Sequence, residues 1–243
     1  MELWILIITL LGVVQCYDDG NYLETDPDLF EGDMILPPGT FRNAVKYKRK
    51  KWPQGTVPYE IDHAFDASQK KKIREALEIF KKKTQCIMFR PRLSSDTNYL
   101  FIKRYSKSCS SNVGMVGGRQ VTKLADGCVN VQGIILHEMM HVIGFMHEQT
   151  RPDRNKYIFV KWRNIKESAW WNFRLLPADS VDMLDLPYDY GSLMHYGDSY
   201  FAKEKGSKTI EILEPNVKIG QRERFSDLDL KKIKKLYAGH CYA

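Results

Sequence analysis

His137-Glu138-Met139-Met140-His141-Val142-Ile143-Gly144-Phe145-Met146-His147 is the stretch that decides how this chain is read. Residues four apart on a helix project from one face, so the imidazoles of His137 and His141 can reach one metal ion. Glu138, one residue on, can address a water on that metal. A third ligand from an unbroken helix would point the wrong way. Gly144, free to take the left-handed conformation that closes helices, lets the chain turn and bring His147 back. Three protein ligands suit one zinc ion and leave a fourth position for water, whose pKa zinc lowers to roughly 7. The apolar flanks Ile134, Ile135, Leu136, Met139, Met140, Val142 and Ile143 predict a buried helix. Three histidines and a glutamate in such a helix need a metal or hydrogen bonds to offset their desolvation.

The run continues as His147-Glu148-Gln149-Thr150-Arg151-Pro152-Asp153-Arg154, and Ser192-Leu193-Met194-His195-Tyr196 follows later. The long histidine motif, this extension and the methionine turn together resemble the astacin family of metzincin zinc endopeptidases. The likeness runs from about Phe30 to Cys241; one departure is Asn155, where many members carry aspartate. It implies an α+β, zincin-like catalytic domain. Its N-terminal subdomain would hold a twisted mixed sheet and two long helices, its C-terminal subdomain would be mostly irregular with a terminal helix, and the cleft would lie between them. It further implies zinc on His137, His141 and His147, Glu138 as the catalytic base, and Met194 as a hydrophobic floor beneath the metal. Tyr196 would be a fifth zinc ligand at rest that swings away to hydrogen-bond the developing oxyanion.

Export fits the amino terminus. Leu3 to Val14 is an apolar stretch too short to span a bilayer, and Val14 and Cys16 are acceptable at the −3 and −1 positions of a signal-peptidase site, although Glu2 is an atypical n-region residue. Residues 1–16 are therefore read as a signal peptide and the protein as secreted. Cleavage there leaves Cys86, Cys109, Cys128 and Cys241, an even number that argues for disulfides while allowing three pairings. The family resemblance implies Cys86–Cys241 and Cys109–Cys128.

Charge divides the remainder. Residues 17–42 hold seven acidic residues and one basic, whereas residues 43–243 hold 36 basic and 22 acidic, within an overall net charge of +7. Such asymmetry suggests an acidic piece covering a basic domain. Phe30-Glu31-Gly32-Asp33 lies in the acidic piece and resembles the family's prosegment motif, whose aspartate ligates the zinc in place of water. Asp33 is thus the expected latency switch, with Gly32 allowing close backbone approach. Resemblance sets activation at Arg42-Asn43, by another protease, giving a 17–42 prosegment and a 43–243 catalytic domain. The new α-amino group of Asn43 would be buried near Glu148, since a buried ammonium needs a carboxylate partner.

Periodicity and turn residues place these motifs on regular elements. Val57 to Ile61, Cys86 to Arg90 and Tyr99 to Lys103 predict strands. Ser68 to Lys83 predicts an amphipathic helix capped by Ser68, and Asn164 to Leu175 and Ser226 to Tyr237 predict two more, the last with Ser226 and Asp229 at capping-box spacing. Gly114 to Leu124 reads as an edge strand, with Gly117 and Gly118 permitting close backbone approach, and the family resemblance implies that substrate binds along this rim in extended form. Lys218 and Arg222 are placed near the pocket for the residue after the cleaved bond, where a cation favours an acidic side chain. The expected partners are protein or peptide substrates, together with acidic matrix or glycan surfaces that the basic domain would attract. No nucleic-acid partner and no membrane span are expected, and the enzyme is read as a monomer in short form: signal peptide, prosegment and catalytic domain. The competing reading is an inactive, secreted basic binding protein on a protease scaffold, against which retention of Glu138 argues, because structural zinc needs no neighbouring base.

Overall fold

A computed structural model describes residues 29–36 and 51–241. The signal stretch, most of the acidic prosegment, Arg42 and Asn43 lie outside those residues. In chain order the strands are β1 (Met34–Ile35), β2 (Thr56–Ile61), β3 (Met88–Pro91), β4 (Tyr99–Arg104), β5 (Ser110–Asn112), β6 (Arg119–Leu124), β7 (Ile158–Val160) and β8 (Ile210–Ile212). The α-helices are α1 (Ala67–Thr84), α2 (Asp126–Asn130), α3 (Gln132–Val142) and α4 (Asp227–Leu236).

Six strands form one mixed sheet in the order β1-β5-β6-β4-β2-β3. Within it only the β5–β6 pairing is antiparallel; β1, from the acidic amino-terminal piece, lies parallel to β5 with Met34 opposite Ser111. The expectation that 114–124 forms an edge is therefore corrected: β6 sits between β5 and β4, and β5 is the strand on which β1 is laid. Gly117 and Gly118, at φ +94° and +64°, instead serve the turn that opens β6, where Gly118 N–H donates to Asn98 Oδ1.

Helix α1 buries Ile73, Ala76, Leu77 and Phe80 along one stripe while lysines occupy its last turn, where the helix dipole favours cations. Its cap is Asp66, not Ser68. The Asp66 carboxylate accepts Gln69 N–H at 2.8 Å and Gln69 Oε1 accepts Asp66 N–H at 3.1 Å, a reciprocal box that Ser68 could not complete from inside the first turn. Helix α4 opens as its sequence suggests, with Ser226 and Asp229 making the same reciprocal pair.

The expected helix over 164–175 does not form as one unit. Two short 3₁₀ turns, Trp162–Asn164 and Glu167–Phe173, take its place. Tertiary bonds interrupt it: Ile165 bridges to Ala202, Lys166 N–H donates to Phe201 O, and Phe173 O accepts from Arg154 Nη2 at 2.9 Å.

Two hydrophobic cores result. The first gathers Trp52, Phe65, Phe80, Leu100, Ile102, Met139 and Met194 around the large sheet and α1, α3 and α4; the second gathers Ile158, Ile165, Phe173, Tyr188, Tyr196 and Phe201 around β7 and β8. Met194 belongs to the first and Tyr196, two residues on, to the second, so the methionine turn sits where the cores meet. Both disulfides, Cys86–Cys241 and Cys109–Cys128, are formed. The first ties the start of the β3 segment to the end of the described chain. On the chain-entropy model such links contribute roughly 3–5 kcal/mol each.

Phe80 joins α1 to the rest by edge-to-face contacts with Phe89 and Phe225, at centroid distances of 5.4 and 4.8 Å. Phe80→Ala is expected to lower unfolding free energy by about 3–5 kcal/mol in denaturant titration with the disulfides intact; a loss below about 1 kcal/mol would show that this junction is not closely packed.

Candidate active site

Helix α3 carries His137 and His141 one turn apart on a face where both are buried. It ends at Val142, and Gly144, at φ +111°, turns the chain so that His147 returns toward the helix. Glu148 N–H donates to Met194 O at 2.9 Å, and Tyr196 N–H donates to Gln149 Oε1 at 3.3 Å, so the segment bearing the third histidine is stitched to the methionine turn.

Each imidazole is oriented from behind. His137 Nδ1 lies 2.8 Å from Leu193 O, His141 Nδ1 2.8 Å from Phe145 O and His147 Nδ1 2.8 Å from a Glu31 carboxylate oxygen. A neutral ring that donates through Nδ1 presents a lone pair at Nε2, the form needed of a metal ligand. The three Nε2 atoms converge on Asp33: its Oδ2 is 3.0 Å from His137 and 3.1 Å from His147, and its Oδ1 is 3.4 Å from His141.

These four residues fit one metal ion. Their ligand atoms lie within 4.8 Å of one another, and His137 Nε2 and His147 Nε2 are 3.4 Å apart. Ligands placed 2.0–2.2 Å from a tetrahedral zinc would be separated by roughly 3.3–3.6 Å. An imidazole nitrogen and a carboxylate oxygen at such distances need a proton or a cation between them, and two of the atoms involved, His141 Nε2 and Asp33 Oδ1, are buried with no hydrogen-bond partner among the described residues.

The acidic strand reaches this point by a tight loop. Phe30 and Met34 exchange main-chain hydrogen bonds, with Glu31 and Gly32 between them at φ +48° and +82°. A left-handed glutamate is strained, and surrounding contacts hold it there. Its carboxylate meets His147, and its carbonyl accepts the hydroxyl of Tyr196. Sequence reasoning named Asp33 and missed Glu31, although the two are separated only by Gly32.

Glu138 is buried beside the cluster, and its Oε2 accepts the Ser111 hydroxyl at 2.7 Å. Burial and the Asp33 carboxylate push Glu138 well above the ordinary glutamate range. For His137, burial and then the Arg222 guanidinium hold the ring down to about 3, and burial likewise lowers His141, so both stay neutral. Burial would lower His147 too, but Asp33 and Glu31 outweigh it and raise that ring to about 9. Burial alone would raise Asp33; the His147 and His141 imidazoles instead hold it well below the usual carboxylate range.

The other expected residues fall as follows. Arg222 donates to His195 O at 2.9 Å and its field reaches His137, Glu138 and Tyr196. Its loop is seated closely, since a Cβ on Gly220 would come within 2.4 Å of Gly197 Cα. Lys218 is on the same loop and exposed to solvent. Glu148 is buried, but against partners the sequence did not suggest: Lys232 Nζ at 2.6 Å, Arg151 Nη1 at 3.1 Å and Asp189 N–H at 2.9 Å. Asn155, the departure from the resemblance, still accepts from Arg154 Nε, as a neutral amide.

Residues 44–238 match the family model of the Astacin peptidases. Among similar proteins, zinc metalloproteinase nas-13 of Caenorhabditis elegans is 43% identical over 199 residues, covering 82% of this chain and 43% of that protein. The low choriolytic enzyme of Oryzias latipes is 38% identical over 221 residues, covering 86% and 78%. The chain thus spans less than half of the first relative. The solved structure of high choriolytic enzyme 1, a hatching enzyme zinc-protease from Oryzias latipes, superposes with a TM-score of 0.71 at 36% identity, covering 78% of this chain and 94% of that one.

Zinc ligation needs His147 neutral, so loading the metal-stripped intact chain at about pH 7.5 is expected to release at least about one proton. Calorimetry in buffers of differing ionisation enthalpy measures this. Without residues 29–36, which carry both carboxylates, the release should shrink; buffer-independent heats would contradict it.

Proposed function

The chain belongs to the astacin family, and from that premise we propose that it is a secreted zinc-dependent endopeptidase made as a zymogen, blocked by Asp33 and activated by cleavage near Arg42-Asn43. The observation that carries this reading is the meeting of three imidazoles, an amino-terminal aspartate and a buried glutamate at one point. His137, His141 and His147 would hold the zinc. Zinc bound there supplies Lewis-acid polarisation of the scissile carbonyl and makes water nucleophilic near neutral pH.

The chain's own residues do the rest. Glu138 takes the proton of the attacking water and delivers it to the leaving amine. Its buried, low-dielectric surroundings suit a group that must both accept and return a proton. The Tyr196 hydroxyl, engaged by Glu31 O in the latent form, is freed when the prosegment leaves and donates to the developing oxyanion. Met194 packs in the first core and serves as an apolar floor to the histidines.

Substrate would lie extended along β5, where β1 lies in the latent chain, held by main-chain hydrogen bonds that are indifferent to side-chain identity. Arg222 would favour an acidic residue just after the cleaved bond, with Lys218 adding positive potential at the rim. After activation the α-amino group of Asn43 would join Lys232 and Arg151 at Glu148. Two cations already attend that carboxylate, so the added contribution of the new terminus is expected to be small. Acidic matrix or glycan surfaces are a further partner class for the basic domain, which works as a monomer.

Casein hydrolysis by zinc-loaded protein cleaved after Arg42 tests the reading. Glu138→Gln should lower kcat by at least roughly 100-fold while zinc remains bound. Absence of turnover by correctly processed, zinc-loaded protein would favour a binding protein on a protease scaffold.

A further inference from the structure

We propose that Ser111 is a positioning residue for Glu138, which joins the strand that receives substrate to the orientation of the base; this rests on the endopeptidase reading above. Two groups of Ser111 face two different partners. Its main-chain N–H donates to Asp33 O in the segment lying along β5, at 2.9 Å, and its hydroxyl donates to Glu138 Oε2 at 2.7 Å. Strand geometry produces this division. A main-chain N–H lies in the plane of the sheet and points to the neighbouring strand, whereas the side chain stands out of that plane, here toward α3.

A third group completes the arrangement. Thr122 is opposite Ser111 in the β5–β6 register, and its Oγ1 lies 2.8 Å from Ser111 Oγ. A hydroxyl carries one proton and two lone pairs. With the Ser111 proton committed to Glu138, the bond between the hydroxyls runs from Thr122 to Ser111. Both residues are 0% exposed, so water does not compete for these bonds.

The consequence is orientation. A glutamate has three side-chain torsions, and a base that must meet a water and then a leaving amine gains from having one oxygen fixed. The chain from Thr122 through Ser111 anchors Oε2 and leaves Oε1 to face the reacting atoms. A substrate strand bonded to Ser111 N–H would then be located by the same residue that locates the base. Attacked carbonyl and base thereby share one reference point. Ser111 touches neither reacting atom and acts through Glu138.

The test compares processed, zinc-loaded wild type with Ser111→Ala, Ser111→Cys and Thr122→Val on one peptide substrate. Wild-type turnover decides the endopeptidase reading, and the ratios among variants decide the role of Ser111. S111A is expected to lower kcat roughly 10- to 100-fold with KM held within about twofold, since it removes the buried hydrogen bond that fixes the base. Zinc per chain and thermal midpoint should match wild type. S111C, which keeps the volume and donates weakly, should fall between wild type and S111A, and T122V should lose roughly 2- to 10-fold. If S111A does not fold, S111C carries the same comparison. Values of kcat within about twofold of wild type for the serine variants, a loss confined to KM, or a loss that follows zinc content would each overturn the proposal.

Discussion

Four ligand atoms, three of them imidazole nitrogens and one a carboxylate oxygen, lie buried within 4.8 Å of one another and fit one shared cation, and the rest of the molecule is arranged around that requirement. An imidazole taken out of water without a partner is costly, and so is a carboxylate. Helix α3 contributes two ligands through its pitch, and Gly144 turns the chain to return the third. The fourth comes from the acidic segment by way of a strained loop at Glu31 and Gly32. Behind each ring an oxygen accepts Nδ1–H, from Leu193, Phe145 or Glu31, and so fixes which nitrogen faces inward.

That shell is supported by polar groups buried in turn. Glu148 carries Lys232 and Arg151, and Asp229 of α4 accepts from Ser192 Oγ at 2.6 Å and Leu193 N–H at 2.9 Å, which places the terminal helix directly behind the methionine turn. Buried ion pairs of this kind add little net stability, because desolvation offsets their attraction. Their effect is positional: removing one partner would strand a charge, so the turn below the metal has few alternative conformations. The two hydrophobic cores meet there, and a displacement of Tyr196 would disturb both Met194 and Phe173.

Much of the site was legible because its parts are local. His137, His141 and Gly144 are related by helix geometry, and Asp33 is picked out by the resemblance of Phe30-Glu31-Gly32-Asp33 to the family's prosegment motif. The capping box of α4 could be read for the same reason. What the sequence concealed depends on distant segments. Ser111 meets Glu138 across 27 positions and Lys232 meets Glu148 across 84, and no spacing rule links either pair. The glycines at 117 and 118 suggested an open edge, yet they shape a turn, and β5, only three residues long, was too short to register as a strand. Ile165, Ala169 and Phe173 repeat at helical spacing and are all buried, but Ala202, Phe201 and Arg154 claim the intervening backbone and break the helix into shorter turns.

On the proposed reading, latency and catalysis differ at the metal by one ligand. The visible absorption of the cobalt-substituted intact chain reads that ligand without reference to turnover. Three imidazoles and the Asp33 carboxylate predict a spectrum that changes in Asp33→Ala, where water must take the carboxylate's place, and that moves the same way when the prosegment is removed. Identical spectra for the intact wild type and Asp33→Ala would contradict the role assigned to Asp33.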